Sequence, residues 1–273
     1  PETLVDEMNL YAASEVIVPE RLLERIRRAA GNMLTAKLIT GWERRDDELV
    51  RRQFADEQLR TVDPVCFDCL SLLMSYLSET QKRALTHITR IRPYEHRQYL
   101  MMDPFTRRNL ELSETVRERS RKGSLMWLLD KTVTSMGGRL LRRWIDKPLT
   151  NRRQIEERLE AVRVLYHQLI IREELRSQLK QVYDLQRLVG RISYGNANAR
   201  DMLALGKSLA QIPAIRRLCA ESGSATLSRL AETMDECGDI REWIDAAIAD
   251  DPPVTLREGG LIRPGYHSYL DQL

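Results

Sequence analysis

The stretch from Asn151 to Leu169, NRRQIEERLEAVRVLYHQL, decides the fold class. Its apolar residues Ile155, Leu159, Val162, Tyr166 and Leu169 recur at helical spacing and form one stripe along an α-helix. Asn151 precedes the run as an N-cap, since its side-chain oxygen accepts from the free N–H groups of the first turn. The opposite face carries Arg152, Arg153, Glu156, Glu157, Glu160 and Arg163, a solvated pattern with opposite charges at helical spacing. The apolar stripe needs partners, so the surroundings are expected to be helical too.

The neighbouring sequence repeats this pattern. Gly, Asn and Pro punctuate predicted helices at 103–118, 124–130, 136–146, 171–180, 183–194, 198–210, 212–220, 226–235 and 239–250. Asp103, followed by Pro104, reads as an N-cap and first turn. After Pro252-Pro253, Val254 to Leu256 and Leu261-Ile262 flank Gly259-Gly260 and suggest a small hairpin, and Ser268 to Leu273 begins a further helix.

Upstream, the periodicity is mixed. Glu15-Val16-Ile17-Val18 is a β-branched run closed by Pro19, and Pro19 to Ala30 reads as a helix with Leu22, Leu23 and Ile26 inward and Arg21, Arg25 and Arg28 outward. Gly31-Asn32 ends it, Met33 to Ile39 suggests a second strand, and residues 40–60 read as a loop or an exposed helix. Val65, Cys69, Leu72, Leu73, Tyr76 and Leu77 predict one long helix from Pro64 to about Thr86. A connector follows, with Gln98 to Met102 as a short strand. The expected fold is mainly α, a helical bundle over 89–273 preceded by a partial α/β domain over 1–88.

Composition agrees. The 273 residues are 42% hydrophobic, 30% charged and 6% aromatic, with 13 Gly and 10 Pro, too apolar for disorder and too poor in Gly and Pro for a many-turned β architecture. Four cysteines do not make a secreted disulfide framework, and no run is long and apolar enough for a membrane span. A cytoplasmic location is expected. The net charge of +3 conceals a block at 81–153 with 18 Lys or Arg against 7 Asp or Glu, between flanks of −5 and −3. Of the 43 basic residues 36 are Arg, suited to forked contacts with phosphate and equally to salt-bridged helical faces.

No motif carries catalytic chemistry. Cys66-Phe67-Asp68-Cys69 has metal or redox spacing but lacks a second ligand pair, and its sulfurs share one helix face, so burial in helix packing is the expectation. Gly206-Lys207-Ser208 ends like a phosphate-binding loop, yet Asp201 stands where that loop needs its first Gly, and the stretch lies in a helical pattern. Gly137-Gly138 suits a tight turn or close helix approach. Asp250-Asp251 and Glu173-Glu174 read as solvated carboxylates, and the four His have no nucleophile at a supporting spacing.

One set of residues is recognisable. Asp103-Pro104-Phe105-Thr106-Arg107-Arg108-Asn109-Leu110-Glu111-Leu112 resembles the opening of the core, or lever, domain of the bacterial MutS family of mismatch-recognition ATPases. The resemblance runs on through Gly123-Ser124-Leu125, Leu128-Leu129-Asp130, Thr132-Val133-Thr134, Met136-Gly137-Gly138-Arg139-Leu140-Leu141, Trp144-Ile145, Pro148-Leu149, Tyr183-Asp184-Leu185-Gln186-Arg187-Leu188 and Asn198-Ala199-Arg200-Asp201. It ends with Pro252-Pro253, Glu258-Gly259-Gly260-Leu261-Ile262, Gly265-Tyr266 and Leu270-Asp271. Residues 1–88 more weakly resemble the later part of that family's connector domain.

The resemblance implies a piece of a longer protein, the end of the connector and the first segment of the core. This fits a chain that starts at Pro1 without an initiator Met and stops inside a predicted helix. It implies a parent that binds mismatched duplex DNA as a dimer, uses ATP and magnesium, recruits MutL, needs no membrane and works in the bacterial cytoplasm at the nucleoid. The family's Phe-x-Glu mismatch wedge and its ATPase phosphate loop have no counterpart in this sequence. Within this chain the resemblance implies no catalytic, cofactor or metal residue; its task would be to couple the ATPase to the DNA-gripping ends. The alternative is an autonomous helical nucleic-acid-binding domain using the basic block, with Arg107, Arg108, Arg117, Arg119, Arg121 and Lys122 as possible DNA-phosphate or interdomain contacts. An uncharacterised enzyme is disfavoured because no coherent motif is present.

Overall fold

The computed structural model describes residue 8 and residues 13–31, 38–81, 85–86, 88–91, 98–253, 255 and 258–272. The fold is mainly α, as the periodicity predicts, with one small parallel sheet. The chain forms two compact units, residues 1–96 with 102–107 and residues 97–101 with 108–273.

The first unit opens as a β-α-β element. Strand β1 (Glu15–Val18) pairs in parallel with β2 (Leu38–Gly41), joined through helix α1 (Glu20–Ala30). The second strand runs to Gly41 rather than ending at Ile39, and expected positions 33–37, like Asn32 of the helix-ending pair, lie outside the described residues. Gly41 lets α1 pack closely over the end of β2, since a Cβ there would come 3.1 Å from Leu23 Cδ2.

The charged segment after β2 is a loop followed by a largely exposed helix, as expected, but it buries two apolar residues. Asp46 accepts from Leu49 N at 2.8 Å to cap α2 (Asp47–Gln53), a short α3 (Asp56–Leu59) follows, and Val50 and Phe54 are buried. They pack with Met74 of α4 (Pro64–Gln81) and with Leu85. The Gln53 side chain donates to Leu85 O and Ile88 O at 2.9 and 2.8 Å, pinning the segment beyond α4. The buried side of α4 is Ser71, Leu72, Met74 and Ser75, while Val65, Cys69 and Leu73 of the expected apolar face are exposed. The helix is described to Gln81, and positions 82–84 of the expected extension lie outside the described residues.

The second unit is the helical bundle. Its elements are α6 (Leu125–Leu129), α7 (Ser135–Asp146), α8 (Arg152–His167), α9 (Leu169–Lys180), α10 (Leu185–Ser193), α11 (Ala199–Leu209), α12 (Ile212–Glu221), α13 (Ala225–Glu232) and α14 (Gly238–Ala247), after a short α5 (Pro104–Asn109) at the junction of the two units. Asn151 caps α8 as expected, and further caps mark other starts: Asp184 on α10, Ser224 on α13, and an Asn198/Asp201 capping box on α11. Leu175, Ile215, Leu218, Cys219 and Ala231 form the core between α9, α12 and α13, with Leu165 of α8 against it. Gly206 lets α11 lie close to α14, since a Cβ there would stand 3.2 Å from Ile244 Cγ2.

The expected orientation of α8 is only partly kept. Leu159, Val162 and Tyr166 of the apolar stripe are 55%, 60% and 73% exposed, while two of the six residues of the expected solvated face, Glu157 and Glu160, are half-buried and Arg152, Arg153, Glu156 and Arg163 stay exposed. Glu160 accepts from the buried Ser224 hydroxyl at 2.7 Å, and Glu157 O accepts from Thr226 Oγ1 at 3.1 Å. The physical reason is the start of α13, whose free N–H groups and positive dipole end favour a carboxylate beside them. Ser224 and the neighbouring groups accordingly hold Glu160 below the usual carboxylate range.

Three smaller expectations also change. Gln98 to Met102 is not a strand; Tyr99 alone bridges to Leu149, with Leu100 N donating to Pro148 O and Thr150 N to Gln98 O. Ile262 bridges back to Ile248 rather than to a local hairpin arm, and Val254 and Leu256 lie outside the described residues. The final turn is a short 3-10 segment, Leu270–Gln272. Among the described residues, no helix is long and apolar enough to cross a membrane.

Candidate nucleic-acid interface

The predicted helix 103–118 stops early, and its failure shapes the basic region. Asp103 does cap it, accepting from Thr106 N at 2.9 Å and from Thr106 Oγ1 at 2.6 Å, but α5 ends at Asn109. Beyond it Thr115 and Ser120 offer side-chain partners that compete with helical bonds. Thr115 N donates to Ser120 O, Ser120 N to Thr115 Oγ1, and Val116 N to the Glu111 carboxylate at 2.7 Å. Glu111 and Arg119 take left-handed φ values of 49° each, and the loop lies back along the start of α6 through Leu125 N to Glu111 O and Met126 N to Leu112 O.

This folding gathers only part of the predicted set. Arg119 and Arg121 line a cleft of about 670 Å³ with Arg139 and Arg142 of α7, together with Ser113, Thr132, Thr134 and Ser135. Arg108, Arg117 and Lys122 are exposed outside that lining, and Arg107 belongs to the first unit. Arg139 and Arg142 were not among the predicted residues. No local signal marked Arg139, because its carboxylate partner Asp184 lies 45 residues away in the chain.

Most of the positive charge in the cleft is already matched. Arg121 pairs with Asp130, whose other oxygen accepts from Thr132 Oγ1 at 2.6 Å and Thr132 N at 3.1 Å. The Thr132 bonds, then Arg121, keep the Asp130 carboxyl below its usual range, so it stays charged. Arg139 grips Asp184 through two bonds of 2.7 Å and adds a third to Gln186, and Arg142 lies 3.6 Å from Asp146. Arg119 makes no ion pair among the described residues. The cleft is therefore chiefly a salt-bridged seam between loop and helix, with one uncommitted guanidinium at its edge.

The other motifs resolve structurally. Gly137 and Gly138 sit in the first turn of α7, where a Cβ would come 3.0 Å from Thr134 Oγ1 and 3.4 Å from Thr132 Oγ1; the close approach is of the preceding loop, not of another helix. Gly206-Lys207-Ser208 lies in α11, and the buried Ser208 hydroxyl donates to Ala204 O at 2.7 Å while accepting from Tyr183 N at 2.9 Å. That serine is a packing residue. Asp250 pairs with Arg263 and Glu173 with Arg172 on exposed surfaces. Cys66 and Cys69, expected inside helix packing, are both exposed, because α4 buries its serines and Met74 instead. Among the described residues no cluster of His, Cys, Asp or Glu is placed to hold a metal ion.

Comparison with known proteins identifies this arrangement. The family described as MutS domain III matches residues 105–268. A DNA mismatch repair protein MutS of Brevibacillus brevis is 50% identical over 224 residues, 82% of this chain and 26% of its own length. The Bacillus subtilis protein of the same name is 47% identical over 200 residues, covering 73% of this chain and 23% of its own. That of Desulforamulus reducens is 39% identical over 280 residues, covering 100% of this chain and 32% of its own. The chain thus spans about a quarter to a third of the length of these relatives. It belongs to the MutS family of DNA mismatch repair proteins and carries that family's helical domain III.

Proposed function

We propose that this chain is the central, force-transmitting part of a mismatch-recognition ATPase, coupling a nucleotide-hydrolysing domain to the parts that grip mismatched duplex DNA. The parent would act as a dimer in the bacterial cytoplasm at the nucleoid, use ATP with magnesium, and recruit MutL. Residues 1–88 would serve as the end of the connector and 89–273 as the first segment of the lever. This chain would perform no catalysis of its own.

The observation supporting this reading is the outward apolar stripe of α8. Leu159, Val162 and Tyr166 are exposed, as are Leu169 and Ile170 at the start of α9, a run of large apolar side chains left uncovered. Such a surface suits a helix that works against other parts of a longer polypeptide, and coupling between distant sites runs through packed elements of this kind. The rival reading, an autonomous DNA-binding domain, would rest on Arg119 and the exposed Arg108, Arg117 and Lys122. It is weakened by the carboxylates already engaging Arg121, Arg139 and Arg142.

Duplex-binding titrations separate the two. The chain alone is expected to bind matched and mismatched duplex equally, weakly and with steep loss on adding salt. Discrimination of a mismatch by this chain alone would sink the lever assignment.

A further inference from the structure

We propose that Cys66 and Cys69 form a reversible dithiol site that exchanges with low-molecular-weight disulfides. Both thiols are exposed, and both lie at the start of α4, which begins at Pro64. Residues three apart on a helix have Cα atoms about 5 Å apart, inside the range a disulfide spans. Their Cβ atoms, about 5–6 Å apart in a regular helix, are farther than a relaxed disulfide prefers. Closing the bond therefore requires the first turn to tighten toward 3-10 geometry, a change most easily made at a helix end. A bond closed against that resistance is readily reduced, so the site is a switch rather than a staple.

Partial burial, then the neighbouring Cys66 and Asp68, pushes the Cys69 thiol up, which suits a resolving partner. Arg45 holds the Asp68 carboxylate at 2.7 Å, moderating its repulsion of a thiolate. Phe67, between the two cysteines, packs on the Val50 and Phe54 core beneath the Arg51 guanidinium, so a tightened turn is felt in the core of the first unit. The remaining cysteines serve as internal controls: Cys219 is buried in the bundle core and Cys237 is half-buried.

The exchange balances in two steps. The Cys66 thiolate attacks one sulfur of the small disulfide, forming a mixed disulfide and expelling one thiolate. Cys69 gives its proton to solvent and attacks Cys66 Sγ, forming the Cys66–Cys69 bond and expelling the second thiolate. Two electrons pass from the protein to the small disulfide, which leaves as two thiols.

The test is exposure of the intact chain to oxidised glutathione, followed by alkylation and peptide mass spectrometry. Expected is loss of two hydrogens across the Cys66 and Cys69 peptide, reversed by a dithiol reductant, with Cys219 unmodified. Cys69→Ser should trap one glutathionyl group on Cys66, and Cys66→Ser should slow modification at Cys69 several-fold. Both positions are exposed, so an unchanged far-ultraviolet circular dichroism spectrum is expected of each variant. Separate stable glutathionylation of both thiols in the unaltered chain, or no reaction at either, would overturn the proposal.

Discussion

Ser208 illustrates how a single side chain takes its meaning from its surroundings. Its fully buried hydroxyl is the acceptor for Tyr183 N, so Ser208→Ala leaves that N–H unsatisfied. The expected loss is about 1–3 kcal/mol in urea unfolding. Asp184 does two jobs, capping α10 through Arg187 N and gripping Arg139. Hydrogen bonding to Arg139 holds its folded pKa below the ordinary carboxylate value. Its contribution to stability is therefore present above the unfolded Asp value, about 3.9, and fades as pH falls through the lower folded value. Asp184→Asn should accordingly lower the thermal midpoint at neutral pH, with the gap to the unaltered chain closing in acid; a gap independent of pH would show the charge to be irrelevant. The helix was legible within two residues, but the expected 183–194 placed Asp184 inside it, and its Arg139 partner, 45 residues away, was not legible at all.

At the scale of elements, periodicity located the helices better than it oriented them. The caps and bounds of α8, α11 and α13 follow local rules, since N-cap chemistry involves atoms only a few residues apart. Orientation is a contest between faces, and on α8 it was decided by Ser224 and the N-terminal end of α13, more than 60 residues further along the chain. Helix α5 fell short for a related reason: Thr115 and Ser120 found turn partners that hydrophobic spacing does not register. Gly206 offers a direct test of helix packing. Gly206→Leu would drive its side chain into Ile244, with an expected cost of about 1–3 kcal/mol in chemical denaturation, the range for overpacking a close contact. Truncating the bundle core with Leu218→Ala should cost more, about 2–5 kcal/mol, because its cavity is enclosed by α9, α12 and α13.

For the whole molecule, the distinctive prediction concerns the uncovered stripe. Leu159→Glu and Val162→Glu should alter the stability of this chain by less than about 0.5 kcal/mol, since both side chains already face solvent. If the chain acts as proposed, the same changes in the longer protein should weaken the coupling between its nucleotide and duplex binding. Unchanged circular dichroism of this chain together with unchanged coupling in the parent would remove the stripe from the mechanism. The sequence by itself determined the helical class, the positions of most helices and the family, because helix periodicity, capping and motif order are written locally along the chain. Tertiary structure alone decided which face of α8 is covered, that the Cys66 and Cys69 thiols lie open, and that most of the arginines in the cleft are spent on carboxylates. Each of those outcomes is a competition between distant groups for burial and charge partners, settled only when the elements pack.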